Sequence, residues 1–275
     1  MVTDYTTAAL TEAEQIPKHW PAVTVILNTY ERASLLSRAL DSVLAQTFTD
    51  YELIVVHDGP MSDATKHVLE EYTTKFEQAG RDIYVIALTE NSGYQCIPKN
   101  AAIEPSTGDY IAYLDDDNEW LPCHLETLVA AIEEGVVWPD FVYGRREYVL
   151  DDPTLCGPSD MVLPTGPSVF HPLNEDNLKR LAAGPQHNFI DTSEILFSKG
   201  GLYMLAHSTG TVWNESLRRF GDWELVARAL FYGGLRGKGV DKVVQRYHWT
   251  GNNLQLTRPA NEAPVMRREG SRFGV

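Results

Sequence analysis

The chain has 275 residues, of which 43% are hydrophobic and 22% charged, a composition of one large or two small globular domains rather than of a disordered chain. Its formal net charge of −15 argues against DNA as a partner and against docking on anionic membranes. The sequence contains no apolar run that could span a bilayer and no pattern of a secretory signal. The spacing of Cys96, Cys123 and Cys156 is not that of a metal or redox motif. We therefore expect a cytoplasmic protein with reduced thiols.

The first half of the chain alternates strand and helix patterns. Short apolar runs predict strands over 23–28, 52–57, 83–88 and 110–114. Helical spacing of apolar residues predicts helices around 36–44, 68–76 and 122–132. Such alternation is typical of an α/β fold, in which helices flank a mostly parallel sheet.

The second half has a weaker pattern. We divide the chain into an N-terminal arm (1–20), a sheet-forming half (21–145), a second half (146–250) and a tail (251–275). In the second half we predict strands over 141–143 and 147–150 and helices near 175–183 and 222–232. The stretch 151–172 is rich in Gly, Pro and Asp and is interpreted as a long loop or lid.

Polar residues follow each of the first four predicted strands, which is where ligands of parallel sheets bind. The group after the fourth strand is Asp115-Asp116-Asp117. Three adjacent carboxylates repel each other unless a cation neutralises them, and their oxygens suit Mg²⁺ or Mn²⁺ together with substrate phosphates. The alternative is a solvated acidic turn before the next helix, but the position at the end of a buried strand favours a metal–diphosphate site.

Other candidate residues have an ordinary structural explanation when each is taken alone. Asp58 is typical of an Asx turn, Asp222 of the first turn of a helix, and a lone His248 of a structural role. Lys99 could neutralise a phosphate. Phosphate-loop and dinucleotide-binding motifs are both absent, which argues against P-loop NTPases and Rossmann dehydrogenases.

Four segments, taken in order, resemble the GT-A glycosyltransferases of family 2. They are VTVILNTYER (23–32), VVHDGPMSD (55–63), the block from Asn91-Ser-Gly through Lys99-Asn100 to LDDDN (114–118), and GDWELVARAL (221–230). The resemblance is dense over about 22–145 and patchy afterwards. The chain departs from the family pattern at Asn28, where Pro is usual, at His57 and Gly221, where acids are usual, and at Lys99, where Arg is common.

The resemblance implies a nucleotide-diphosphate-sugar donor, most simply a UDP-sugar, a Mn²⁺ or Mg²⁺ ion and one inverting displacement at an acceptor hydroxyl. It implies Asp222 as the general base and Asp117, with Asp115 and His248, as metal ligands. The implied donor-binding residues are Asn28, Thr29, Tyr30, Arg32, Asp58, Asn91, Gly93, Lys99, Asn100, Asp115 and Asp116.

Within that resemblance the acceptor stays open: a carbohydrate, a lipid-linked sugar, a protein or a small molecule. The sequence also leaves open whether the chain forms a homo-oligomer. Two other functions remain as alternatives. One is a nucleotidyltransferase, which also uses acidic metal sites at strand ends, and the other is a non-catalytic nucleotide-sugar-binding protein.

Overall fold

The structure is a computed structural model that describes residues 20–152 and 163–250. The predicted arm, apart from Trp20, the predicted tail, Cys156 and the middle of the 151–172 segment lie outside the described residues. Across those two ranges, no helix is both long enough and apolar enough to cross a membrane.

Strands and helices alternate through the first half as predicted. The strands are β1 (Val23–Thr29), β2 (Tyr51–His57), β3 (Asp82–Ala87), β4 (Tyr110–Asp115), β5 (Glu119–Trp120), β6 (Phe141–Leu150), β7 (Gly166–Pro167), β8 (Ile195–Ser198) and β9 (Gly237–Trp249). The α-helices are α1 (Ala33–Leu44), α2 (Asp63–Gln78), α3 (Cys96–Ala101), α4 (His124–Glu133), α5 (Glu175–Ala182), α6 (Lys199–Thr209) and α7 (Gly221–Phe231). Two 3-10 helices cover Pro185–His187 and Thr192–Glu194.

The described strands form one mixed sheet in the order β3-β2-β1-β4-β8-β6-β9-β5, with β7 paired to β6. Strands β3, β2, β1 and β4 are parallel, β8 runs antiparallel to β4 and β6, and β9 is parallel to β6. The two predicted halves therefore share a sheet. From β1 the chain adds β2 on one side and later β4 on the other, so a crevice opens where the carboxyl ends of β1 and β4 meet.

Helices cover both faces of the sheet, which explains why the central strands β1 and β2 are buried along their whole length. Helices α1, α2 and α4 pack on one face, and α3, α5, α6 and α7 pack on the other. Along β1, Val25 and Leu27 enter the first core cluster and Ile26 enters the second. Every residue of β1 and β2 is buried, so these strands show continuous rather than alternating hydrophobicity.

The second half differs from the prediction in its strands. The two strands predicted at 141–143 and 147–150 are one strand, β6, whose pairing with β9 becomes irregular after Tyr143. Gly144 lies at this irregularity, and any side chain there would collide with Val244 of β9. Gly144 and the two arginines that follow it interrupt the apolar run, which is why the pattern suggested a break. The helices predicted near 175–183 and 222–232 correspond to α5 and α7.

Candidate active site at the ends of the parallel strands

The acidic segment after β4 is held by residues that follow β1. Asp116 is fully buried, accepts a hydrogen bond from Thr29 Oγ1 at 2.6 Å, and lies 2.6 Å from Arg32 Nη2. Asp117 lies 3.0 Å from Nη1 of the same arginine. The two strand ends are therefore joined across the crevice, and one guanidinium serves two carboxylates.

The negative charge at this point exceeds what Arg32 compensates. Burial and neighbouring carboxylates raise the pKa of Asp116 to about 6 and that of Asp117 to about 7, although Arg32 opposes both shifts. A further positive charge would therefore be favourable here. The residues fit a divalent cation held by Asp117 together with donor phosphates. No three His, Cys, Asp or Glu side chains in the described part of the chain converge as a complete ligand set.

Asp115 is paired with the buried Lys99 of α3. Lys99 Nζ lies 2.9 Å from Asp115 Oδ1, also contacts Gln95 Oε1, and sits 4.8 Å from the centre of the Trp213 ring. The backbone N–H of Asp115 donates to Ser193 Oγ at 3.0 Å. Lysine keeps the positive charge expected at this position but offers a single nitrogen, whereas arginine could bind two oxygens at once.

Asp58, Asn91 and Gly93 form one unit. The Asp58 carboxylate accepts hydrogen bonds from the backbone N–H groups of Ser92 and Gly93 at 2.9 and 3.1 Å. It also accepts bonds from Ser92 Oγ at 2.8 Å and Asn91 Nδ2 at 3.2 Å. Gly93 has a φ of +79°, a conformation that glycine adopts without strain. The end of β2 thus shapes the loop after β3, a link that the sequence alone does not show.

Tyr30 and His57 lie beside that loop. The Tyr30 side chain is 45% exposed, and its ring centre is 5.8 Å from that of His57. His57 is buried, with Nδ1 2.7 Å from the Gly59 carbonyl and Nε2 3.3 Å from Glu31 Oε1. His57 therefore ties the loop after β1 to the loop after β2, in the position where the family pattern has an acid.

Asp222 lies in the first turn of α7, at the same crevice. Burial and the charge of Asp191 raise its pKa to about 6, and the charge of Lys99 opposes the shift. A Cβ atom at Gly221 would lie 2.9 Å from Cys96 Sγ, so glycine lets α7 pack closely on α3. The acidic side chain that the family pattern often has at this position would collide with Cys96 here.

Asn28 and Asn100 have different surroundings. Asn28 lies beside Asp115 in register, and its Oδ1 is buried without a hydrogen-bond partner among the described residues. Asn100 donates to the Trp213 carbonyl and to Glu215 Oε1, both at 2.8 Å, and accepts from the Trp213 N–H at 2.8 Å. Asn100 therefore links α3 to the loop before α7, a role that we did not foresee. Its contact with a donor stays a prediction.

His248 is engaged by carboxylates outside the acidic triplet. Its Nδ1 lies 2.7 Å from Asp151 Oδ1 and its Nε2 lies 3.3 Å from Glu119 Oε2. Asp151 also pairs with Arg38, which donates to the backbone carbonyl of Asp117. In this arrangement both ring nitrogens of His248 face other side chains, and its role as a metal ligand stays a prediction.

Sequence reasoning missed the 3-10 helix Thr192–Glu194, which packs against the end of β4 and supports the site. Ser193 Oγ accepts hydrogen bonds from the Asp115 N–H and from Asn118 Nδ2, at 3.0 and 3.2 Å. Asp191 and Glu194 form a capping box, and Arg146 binds Glu194 through two nitrogens at 3.1 and 2.7 Å. The D-x-x-E spacing directly before the apolar Ile-Leu-Phe run could have revealed this helix start.

Comparison with solved structures agrees with the architecture. TarS 1–349 of S. aureus, solved with UDP-GlcNAc, superposes with a TM-score of 0.62 at 21% identity over 86% of this chain and 61% of that one. A mannosyltransferase of Pyrobaculum calidifontis, solved with GDP-Man and Mn²⁺, gives 0.60 at 19% identity over 87% and 60%. These likenesses confirm the GT-A fold that the sequence predicted.

Comparison of sequences identifies the family. The putative teichuronic acid biosynthesis glycosyltransferase TuaG of Bacillus subtilis is 35% identical over 106 residues, which are 38% of this chain and 40% of the relative. The chain thus spans less than half the length of that relative. The family model described as "Glycosyl transferase family 2" matches residues 24–197, more than half of the chain. The protein therefore belongs to glycosyl transferase family 2.

Proposed function

We propose that the protein transfers a sugar from a nucleotide-diphosphate sugar, most simply a UDP-sugar, to an acceptor hydroxyl with inversion at the anomeric carbon. The observation that carries this proposal is the meeting of Asp115–Asp117, Lys99 and Asp222 at one crevice of the sheet. The charges of Asp115, Asp191 and Lys99 all act on Asp222, and Gly221 packs against Cys96 of α3, the helix that carries Lys99, so the candidate base lies on the same side of the sheet as Lys99 and its partner Asp115.

The donor nucleotide would lie over the loops after β1, β2 and β3. The half-exposed Tyr30 ring and the loop that Asp58 holds would line the pocket for the nucleobase. Asp116 is fully buried and bonded to Thr29 and Arg32, so we assign it to holding the wall of the crevice rather than to direct contact.

A divalent cation, Mn²⁺ or Mg²⁺, would be held by Asp117, with Asp115 as a second carboxylate beside it. When bound, it would stabilise the negative charge of the departing diphosphate. Support comes from the raised pKa values of Asp116 and Asp117, which burial causes first and neighbouring carboxylates increase, because a bound cation would offset both effects. The Mn²⁺ in the related mannosyltransferase structure is consistent with this assignment. We leave His248 out of the ligand set because Asp151 and Glu119 already engage its ring.

Asp222 would act as the general base. It takes the proton of the acceptor hydroxyl while that oxygen bonds to the anomeric carbon and the bond from this carbon to the diphosphate breaks. A carboxylate with a pKa of about 6 is mostly ionised at neutral pH and is a stronger base than an ordinary aspartate. The acceptor class stays a carbohydrate, free or lipid-linked, a protein or a small molecule. The part that TuaG plays in teichuronic acid biosynthesis favours a carbohydrate.

A thermal-shift screen tests the donor site. We expect UDP or a UDP-sugar to raise the melting temperature of the full chain, and to raise it further with Mn²⁺, since a ligand of the folded state stabilises it. Asp117→Asn should remove the part of the shift that depends on Mn²⁺. Asp63→Asn, at an exposed position in the first turn of α2, should keep it. No shift with any nucleotide, or an equal Mn²⁺ effect in Asp117→Asn, would contradict the proposal.

A further inference from the structure

Asn188 holds the carboxylate of the candidate base. Its Nδ2 donates to Asp222 Oδ2 at 2.8 Å. The same Nδ2 donates to the Ile190 carbonyl at 2.9 Å, and its Oδ1 accepts from the Ile190 N–H at 3.2 Å. These three bonds agree on one orientation of the amide, because a carboxylate and a carbonyl can only accept and a backbone N–H can only donate.

The backbone around Asn188 is itself anchored. Ile190 is fully buried, and Arg146 Nη2 donates to the Phe189 carbonyl at 2.9 Å. The capping box of Asp191 and Glu194 follows immediately. The amide therefore projects from a segment that several independent contacts keep in place.

Helix α7 cannot orient Asp222 through a side-chain cap of its own. The residue at its N-cap position, Phe220, makes no side-chain cap hydrogen bond and adopts a left-handed φ of +59°. Gly221, which follows, has no side chain. Within α7 the backbone N–H of Trp223 acts on the Asp222 carboxylate, and Asn188 adds a side-chain donor from outside the helix.

We propose that Asn188 is a positioning residue that orients the carboxylate of Asp222 toward the acceptor oxygen. This inference rests on the proposed function, since it assigns a partner to the base of that reaction. Asparagine suits the task because it donates without adding charge, whereas an aspartate at the same place would repel Asp222. The other charged groups that act on Asp222 are Asp191 next to the 3-10 helix, Lys99 on α3 and Asp115 on β4.

The test uses the full chain, with water as the acceptor. UDP-glucose and UDP-GlcNAc are incubated with Mn²⁺, and released UDP is measured. Asp222 takes a proton from water, the water oxygen bonds to the anomeric carbon, and UDP leaves with the electron pair of the broken bond. Asn188→Ala is expected to lower kcat by about 10- to 100-fold while the thermal shift with UDP is kept, because misplacing a reacting group costs rate rather than donor binding.

The pH profile separates positioning from a structural role. A hydrogen bond to the charged form of a carboxyl group lowers its pKa, so loss of the Asn188 bond should raise the pKa of Asp222. The fall of kcat at low pH should therefore move to higher pH in Asn188→Ala, and further in Asn188→Asp. Gln186→Ala changes an exposed residue of the same segment, whose side chain donates to the Ala183 carbonyl at 3.4 Å, and should leave kcat and its pH profile unchanged.

A second measurement needs no turnover. The pKa of the Asp222 carboxyl, followed by ¹³C NMR of aspartate-labelled protein and assigned with Asp222→Asn, should rise in Asn188→Ala. An unchanged pKa, an unchanged kcat, or loss of UDP binding together with activity in Asn188→Ala would each overturn the inference. A wild-type protein that binds no nucleotide would contradict the proposed function itself, which the thermal shift detects separately.

Discussion

Replacing Lys99 by methionine tests whether the crevice depends on a buried positive charge. Lys99 is fully buried, with Nζ 2.9 Å from Asp115 Oδ1 and 4.8 Å from the Trp213 ring centre. Methionine keeps an unbranched apolar stem of similar length but removes the charge. Lys99→Met therefore isolates the electrostatic contribution and leaves the packing against Trp213 largely intact.

The expected loss follows from the burial of both partners. Removing one member of a buried ion pair costs about 3–5 kcal/mol, because the remaining charge is left uncompensated. The Asp115 side chain is 22% exposed, so water can solvate part of its charge after the substitution. We therefore expect Lys99→Met to lower the free energy of unfolding by ~2–3 kcal/mol. For a chain of this size, that corresponds to a fall in melting temperature of about 3–5 °C.

Urea denaturation followed by tryptophan fluorescence measures the loss, with Lys75→Met as the control. Lys75 pairs with Glu71 at 2.7 Å on exposed positions of α2, where water screens the charges, so its replacement should change little. If Lys99→Met were as stable as Lys75→Met, this reasoning would be refuted.

Three further predictions concern the base, the packing of α7 and the buried carboxyls. Asp222→Asn should keep the thermal shift with UDP but lower UDP release from UDP-sugars by about 10²–10⁴-fold, and wild-type release would remove it as the base. Gly221→Ala should cost about 1–3 kcal/mol in urea denaturation through its contact with Cys96 Sγ, whereas Gly200→Ala, with open space around its Cβ, should cost nothing measurable. Burial raises the pKa values of Glu194 and Asp117 to about 7. Between about pH 4 and 7 the native state therefore binds more protons than the unfolded chain, and the free energy of unfolding falls as the pH rises through that window. The melting temperature without ligands should therefore be higher at pH 5.5 than at pH 7.5, and the opposite trend would contradict the shifts.

The parallel half of the fold could be predicted because its patterns are local. Each of the first four strands is a short apolar run that ends at a polar turn, and the structure moves the predicted ends by only one residue. In the second half, the apolar run of β8 is too short to identify a strand by its period, and β9 is only partly buried and has no distinct apolar pattern. Their positions depend on pairing with strands that are distant in sequence.

Residue types at strand ends indicated the acidic part of the candidate site, and the family resemblance added Asp222, which lies in the first turn of a helix. Asp115, Asp116, Asp117 and Asp222 were chosen from the sequence, and the structure brings them to one crevice. The roles of individual side chains could not be read in the same way. His248 was expected at the metal, and the structure pairs it with Asp151 and Glu119.

The sequence by itself determined the alternation of elements, the acidic strand end and the family, because these depend on hydrophobic period and on residues close together along the chain. Only the tertiary structure decided which polar groups meet: Asp58 with the 91–93 loop, Lys99 with Asp115 and Asn188 with Asp222. The order of strands in the sheet sets these pairs, and the burial that strengthens each of them arises only when helices cover both faces.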